Sequence, residues 1–398
     1  MIFATYWFVV FAAVFFPVYW ALRSPAARAG WLLAGCAVFH FHFAGPAGVV
    51  PIVLLGLVTY ACGLSRRRWL CHLAIVLCVL ALCFYKYAAF LSGQVLGLLQ
   101  AGWGAAAQAE TGKWLPGAPP LGISFFVFEF VHYLVEVGRG HEPLRRPLGF
   151  ALFTIYFPSL VAGPIKRYQD FSAALAEGTA GVGTSDVARG LQRVAGGLFK
   201  KLVLADNLNL ALNYYEASFA SLSAGASWLF LGGLGARILL DFSGYSDIAI
   251  GLARMMGIRL PENFNYPYLA TSLQDFWQRW HISLSSWIRD YVYIPLGGSR
   301  HGVPRRIANA LVAFGLCGLW HGAAWHFVLW GLWHGAGLVV NATYPSIPGL
   351  GPRLQALFRR WPPAGWLLTL GFVMFGWLPF FYPPALAWPM AVKLVFFR

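Results

Sequence analysis

Acidic residues are scarce in this chain, with 14 Asp and Glu against 29 Lys and Arg in 398 positions, and only 11% of residues carry a charge. An ordinary soluble domain carries about 25% charged residues, so that class is excluded. The 59% hydrophobic and 17% aromatic content is that of an all-α polytopic membrane protein. Long hydrophilic stretches, linkers and low-complexity tracts are also lacking. One integral domain over residues 1–398 is therefore expected, with no soluble appendage.

Familiar catalytic signatures are missing as well. There is no activated-serine elbow, Walker loop, His-Glu-x-x-His zinc helix or dinucleotide glycine fingerprint, which leaves hydrolase, NTPase, metalloprotease and dehydrogenase readings without support. The six cysteines (Cys36, Cys62, Cys71, Cys78, Cys83, Cys317) sit mostly in apolar runs without paired zinc spacing. They read as small buried hydrophobes, and no metal site is expected.

What the chain does contain is a series of apolar runs. Residues 1–22 are apolar, lack a basic start and lead through Arg23 and Arg28 into another hydrophobic run, so they read as a retained helix and not a signal peptide. Spans of about 20 apolar residues cross a bilayer. Segments of that kind lie near 29–43, 49–64, 69–99, 121–137, 148–160, 191–215, 228–256, 307–319, 324–340 and 366–388. Roughly ten transmembrane helices are expected, some broken or re-entrant where Gly and Pro interrupt them. The net charge of +15 fits membrane orientation: Arg66-Arg67-Arg68, Arg145-Arg146, Lys166-Arg167, Lys200-Lys201, Arg305-Arg306 and Arg359-Arg360 flank hydrophobic runs and read as cytoplasmic anchors. Simple alternation of the spans would put some of these pairs outside, so a few are expected in re-entrant segments or pores.

Residues 260–298 are too polar to cross lipid as one exposed helix. A helix capped by Ser272 would pair Asp275 with Arg279 and align Trp277, His281 and Ser285 on one face, ending at the Pro295-Leu-Gly-Gly298 turn. His281 fits two roles, a hydrogen-bonded structural residue or a catalytic one. Arg279 and Arg289 likewise fit either snorkelling anchors or the lining of a site for a phosphate-bearing donor. His321 is the stronger catalytic candidate, because an ionisable group inside an apolar run is costly unless it faces a cavity or a partner. Gly318 and Gly322 beside it permit close approach of a backbone or a substrate. His326 and His334 point about 140° away from it and to nearly the opposite side. They form no metal face with His321 and are expected to bond neighbouring helices. A neutral imidazole acting as general base, with oxyanion donors, suffices for acyl transfer from a thioester.

At these residues the chain resembles the membrane-bound O-acyltransferases, and within them the bacterial alginate O-acetyltransferase branch. The motifs are Pro120-Leu-Gly-Ile-Ser-Phe-Phe126, Tyr156-Phe-Pro-Ser-Leu-Val-Ala-Gly-Pro-Ile165, Asp241-Phe-Ser-Gly-Tyr-Ser-Asp-Ile-Ala-Ile-Gly251, Asn263-Phe-Asn-Tyr-Pro-Tyr268, Asp275 to Gly298 and Leu319-Trp-His-Gly322. They run in order through a core of about residues 115–340. The resemblance implies a ring of tilted helices around a thinned centre, with a cytoplasmic funnel for the donor and an outer opening for the acceptor. It implies that His321 is the essential histidine and that His281 fills the second polar position. A catalytic set of His321 and His281, with Arg279, Arg289, Asp275 and Trp277 at the donor, follows as the expectation.

The Ile294-Pro-Leu-Gly-Gly298 ending resembles the polysaccharide acetyltransferases more than the D-alanyl transferases of teichoic acid. Acetyl moved from acetyl-CoA or another cytoplasmic thioester, across a bacterial inner membrane, to an extracytoplasmic polysaccharide such as alginate, cellulose or peptidoglycan is thus the expected activity. A periplasmic acetyltransferase is the expected partner, no cofactor is expected to be bound, and nucleic acid is not an expected ligand. D-alanyl or other acyl transfer, and a non-catalytic channel or transporter, are the alternatives; the absence of self-similar halves weighs against a transporter. Two stretches depart from the family: Leu378-Pro-Phe-Phe-Tyr-Pro-Pro384 replaces a Phe-Phe-Arg-like sequence, and Glu129 and His132 replace the more usual polar residues of their segment. The last helix of longer relatives is expected to be absent from this chain, which stops at Arg398.

Overall fold

The computed structural model describes residues 2–396. The described residues are helical, with no strand and one isolated antiparallel bridge between Phe264 and Trp280. They divide into two compact units, Met1–Gly196 with Tyr245–Pro261 and Gly197–Gly244 with Glu262–Arg398.

The first unit holds α1 (Tyr6–Ala21), α2 (Pro25–Ser65), α3 (Arg68–Leu82), α4 (Ala101–Gly112), α5 (Ile123–Gly138), α6 (Pro147–Ile155), α7 (Tyr168–Ala180) and most of α8 (Thr184–Leu198). Ser24 caps α2 and Pro25 opens it, the arrangement a first turn without a free N–H requirement favours. At 41 residues α2 would be about 60 Å long if straight, twice the apolar thickness of a bilayer. Gly45, at φ 64°, breaks it ahead of Pro46, so the two expected segments 29–43 and 49–64 are the two halves of one kinked helix. After α3 the helix widens into π-helical turns at Cys83–Tyr87 and Phe90–Val95.

The second unit holds α9 (Asp206–Glu216), the larger part of α10 (Ala224–Met255), then α11 (Leu273–Arg279), α12 (Ile282–Ile288), α13 (Gly302–His321), α14 (Trp325–Thr343), α15 (Leu350–Arg360), α16 (Pro362–Phe381) and α17 (Pro384–Phe396). α13 and α14 form a hairpin packed backbone to backbone. A Cβ on Gly318 would collide with the Phe327 carbonyl, and one on Gly331 with the Phe314 carbonyl, so only glycine fits either position. The expected run 366–388 is two helices, because Tyr382 is extended and Pro383 cannot continue α16. The amphipathic α15, with Arg359 and Arg360 in its last turn, had no counterpart among the apolar runs, nor did α4 and α7.

The ten apolar segments fall largely on helices, with breaks at Tyr156 and at Tyr382–Pro383. Three helices, Pro25–Ser65, Arg68–Tyr87 and Pro362–Phe381, are long and apolar enough to cross a membrane by length and composition. Lys166 is not an anchor: it is 1% exposed, with Nζ 2.5 Å from Glu129 Oε1 and 2.8 Å from Ser159 Oγ. The cysteines are free, four of them buried.

Candidate active site

The polar stretch folds as two short helices joined by a sharp corner. Ser272 caps α11 by accepting from the Asp275 N–H at 3.1 Å, and Arg279 Nε donates to Asp275 Oδ1 at 2.6 Å, both as expected from the spacing. The helix then stops. Trp280 is extended at φ −101° and His281 left-handed at φ 44° and ψ 54°, so Trp277, His281 and Ser285 do not share a continuous face.

What stops it is a short antiparallel pairing that propensity alone does not signal. Asn265 N–H donates to the Arg279 carbonyl at 2.9 Å and Ile282 N–H to the Asn263 carbonyl at 3.0 Å. A left-handed non-glycine residue is strained by roughly 1–2 kcal/mol, and such strain collects at functional sites. The corner buries His281 to 1% exposure beside Asn263, also at 1%. His281 Nδ1 lies 3.1 Å from Asn263 Oδ1, which also accepts from the Ser283 N–H at 3.3 Å and from Ser283 Oγ at 2.9 Å.

His321 ends α13, half-buried where Gly322 turns extended. It is therefore at a helix terminus and more accessible than a residue deep in an apolar run would be. Its ring lies 4.9 Å from Trp330 and 5.4 Å from Phe380. His281 is 6.1 Å from Trp320, the residue before it, and His321 is within electrostatic reach of both His281 and His334. His334 is fully buried among Trp277, Trp330, Phe276 and Phe372, and neither ring nitrogen has a hydrogen-bond partner. The expected helix-to-helix bond is thus absent there, whereas His326 makes one, with Nδ1 3.1 Å from the Pro379 carbonyl.

A cavity of about 430 Å³ opens between α11, α12, α13 and α14; Ile282, next to His281, and Cys317, one turn before His321, line it, while the histidines themselves do not. Trp277 and Arg289 line it, as do Gln274, Gln278, Asn341 and Arg306. Arg289 is largely exposed and holds Asp290 Oδ1 at 2.8 Å. Asp275 and Arg279 are occupied with each other, and Arg279 reaches the Asn265 carbonyl at 3.4 Å. The structure therefore brings Trp277 and Arg289 to one cavity and gives Asp275 and Arg279 to the corner that holds His281. No cluster of three metal-ligating side chains occurs among the described residues.

The membrane-bound O-acyltransferase family profile matches residues 129–382, which contain this whole arrangement. The chain belongs to that family. Among curated proteins, this acyltransferase is 36% identical over 385 residues to the "Probable alginate O-acetylase AlgI" of Azotobacter vinelandii, covering 93% of this chain and 74% of that one. It is 31% identical over 398 residues to the "Peptidoglycan O-acetyltransferase" of Helicobacter pylori, covering 94% and 70%. With the "Teichoic acid D-alanyltransferase" of Bacillus subtilis it shares 31% over 224 residues, covering 52% and 55%.

Sequence reading of the acyltransferase missed Asn263 as a site residue. Asn263 stood inside a family motif, 18 positions before His281, and only the antiparallel pairing brings the two together. It also missed Lys166, whose pairing partner Glu129 lies 37 positions away. An acidic residue inside an otherwise apolar helix, Glu129, and a basic one in the stretch just before α7, Lys166, were the available signal, since buried charges are paired.

Proposed function

We propose that this acyltransferase moves an acetyl group from acetyl-CoA, taken up from the cytoplasm, to a hydroxyl of an extracytoplasmic polysaccharide. The observation that carries the proposal is the nearness of His281 and His321 to each other, with a cavity lined by Arg289 and Arg306 reaching their helix neighbours Ile282 and Cys317. In the reaction His321 takes the proton of the acceptor hydroxyl as that oxygen attacks the thioester carbonyl. The C–O bond forms, the C–S bond breaks, and the proton passes to the departing thiolate, which leaves as the free CoA thiol. His281 orients the reacting groups. The cavity suits the donor: Gln274, Gln278 and Asn341 can bond amides of the pantetheine arm, Arg289 and Arg306 its phosphates, while Trp277 offers an apolar wall.

The wider reading is a single integral domain, crossing a bacterial inner membrane about ten times around a funnel, with a periplasmic acetyltransferase completing delivery. Both units are assembled from non-contiguous stretches, which supports treating the chain as one domain. D-alanyl is the second reading of the cargo, supported by the Bacillus relative.

Base-labile acyl esters on cell-surface polymer give a test that needs neither donor nor acceptor to be known beforehand. His321→Ala in place of the wild-type gene is expected to lower released acetate at least 100-fold, a loss within the range for a general base, with membrane insertion intact. His281→Ala should lose as much or less. Wild-type acetate release from His321→Ala would overturn the assignment, and release of D-alanine in place of acetate would change the cargo.

A further inference from the structure

We infer that Asn263 is a positioning residue that fixes His281 as the tautomer protonated on Nδ1, so that the bare Nε2 faces the reacting groups only as a hydrogen-bond acceptor. The inference rests on the acyl-transfer reading of this site and deepens it.

Three groups meet at one oxygen. The Ser283 backbone N–H, 3.3 Å from Asn263 Oδ1, is always a donor. The Asn263 atom that it faces must therefore be the carbonyl oxygen, which removes the usual ambiguity between the two ends of an amide. Ser283 Oγ donates to the same atom at 2.9 Å. An amide oxygen has no hydrogen to give, so the His281 Nδ1 at 3.1 Å must carry its own. Neutral imidazole has one N–H, and the lone pair is then on Nε2.

The surroundings hold this choice in place. Ile282 N–H bonds the Asn263 carbonyl and Asn265 N–H bonds the Arg279 carbonyl, so the backbone on both sides of the corner is tied. His281 itself sits at φ 44°, a conformation the pairing enforces against its local preference. Its Nε2 is buried with no hydrogen-bond partner, a position a donor O–H can fill. A second hydroxyl of the acceptor sugar, beside the reacting one, can donate to Nε2 and be oriented by it, which leaves the reacting hydroxyl's own proton for His321. As this tautomer, neutral His281 cannot donate a hydrogen bond to the oxyanion of the thioester, which must be stabilised by other groups.

The test is ring-¹⁵N histidine NMR on the full-length protein in lipid bilayers, with His281→Ala used to assign the resonance, alongside the base-labile ester assay. The expected spectrum shows neutral His281 protonated on Nδ1 and bare on Nε2. Asn263→Asp keeps both acceptance and tautomer, whereas Asn263→Ala shifts the population toward Nε2–H and lowers ester content at least tenfold. A wild-type His281 protonated on Nε2 overturns the inference, as does an unchanged tautomer or unchanged ester content in Asn263→Ala. Where Asn263→Ala fails to fold, the wild-type and Asn263→Asp spectra decide. Inactive His321→Ala together with the wrong tautomer removes this inference and leaves the acyl-transfer reading standing; the right tautomer together with fully active His321→Ala does the reverse.

Discussion

At the scale of single residues, the two kinds of buried polar group in this protein carry different consequences of substitution. Lys166 and Glu129 are 1% and 6% exposed at the side chain, with Phe153, Tyr156 and Phe171 around the ammonium. Removing one partner of such a pair strands the other charge, at a cost of about 3–5 kcal/mol, while replacing both by neutral groups of similar shape is often close to neutral. Lys166→Met is therefore expected to lower the melting temperature in detergent sharply, and Lys166→Met with Glu129→Gln to recover most of the loss. A double variant as unstable as the single one would show that the ammonium matters apart from its carboxylate. Arg289 is different, being largely exposed. Arg289→Ala should leave stability unchanged and raise the KM for acetyl-CoA about tenfold with kcat nearly constant, the loss of a charge-assisted bond worth roughly 1.5–3 kcal/mol. Donor titration in proteoliposomes checks this, and an unchanged KM would remove Arg289 from the donor site.

At the scale of elements, the α13–α14 hairpin depends on Gly318 and Gly331 facing each other's helix backbone. Gly331→Leu would force these helices apart, an overpacking usually costing 1–3 kcal/mol and here aggravated because the obstacle is a carbonyl and not a flexible side chain. Lower thermal stability together with a loss of ester formation is expected, since α13 carries His321 at its end. Retained activity would mean that the geometry around His321 tolerates a wider hairpin. Much at this scale was legible in the sequence. The Ser272 cap, the Asp275–Arg279 pair and the turn after Tyr293 follow from local spacing. The break at Trp280–His281 does not, because it is imposed by Asn263 and Asn265, distant in sequence, and a window of helical periodicity runs straight through it. At Gly45 the opposite holds: the apolar pattern shows a gap between 43 and 49, while the helix continues past it with a kink. His334 departs from the expected helix-to-helix bond because the neighbours that enclose its imidazole are aromatic rings, and neither of its nitrogens finds a partner among them.

At the scale of the whole molecule, part of the positive excess lies at helix ends, as at Arg66, Arg146 and Arg359-Arg360, the placement that the positive-inside rule associates with membrane orientation. Arg66, at the end of α2, pairs with Glu142 in the loop after α5, and Arg145 pairs with the same carboxylate at 3.3 Å. These loops must share one face of the membrane. Single cysteines at Arg67 and Arg146, in a background without reactive native thiols, are expected to react with an impermeant maleimide from the same side, the cytoplasmic one. Labelling from opposite sides would refute that topology. The Arg66 and Arg145 hydrogen bonds hold the Glu142 carboxyl below the usual carboxylate range. A carboxyl with a depressed folded value contributes above its unfolded value and loses that contribution as pH falls through the folded one, so this loop contact persists at neutral pH and is released only in acid.

The aromatic wall around His321 and His334 also has an order in time. Phe380, which packs on His321, and Trp377, 6.5 Å from His334, both belong to α16, whereas the imidazoles they cover lie on helices made earlier. On a ribosome the histidines therefore enter the membrane some 40 to 60 residues before the rings that enclose them. Until then an incomplete chain has both imidazoles but not the aromatic wall that packs on them. The candidate site is thus enclosed only once α16 is in place.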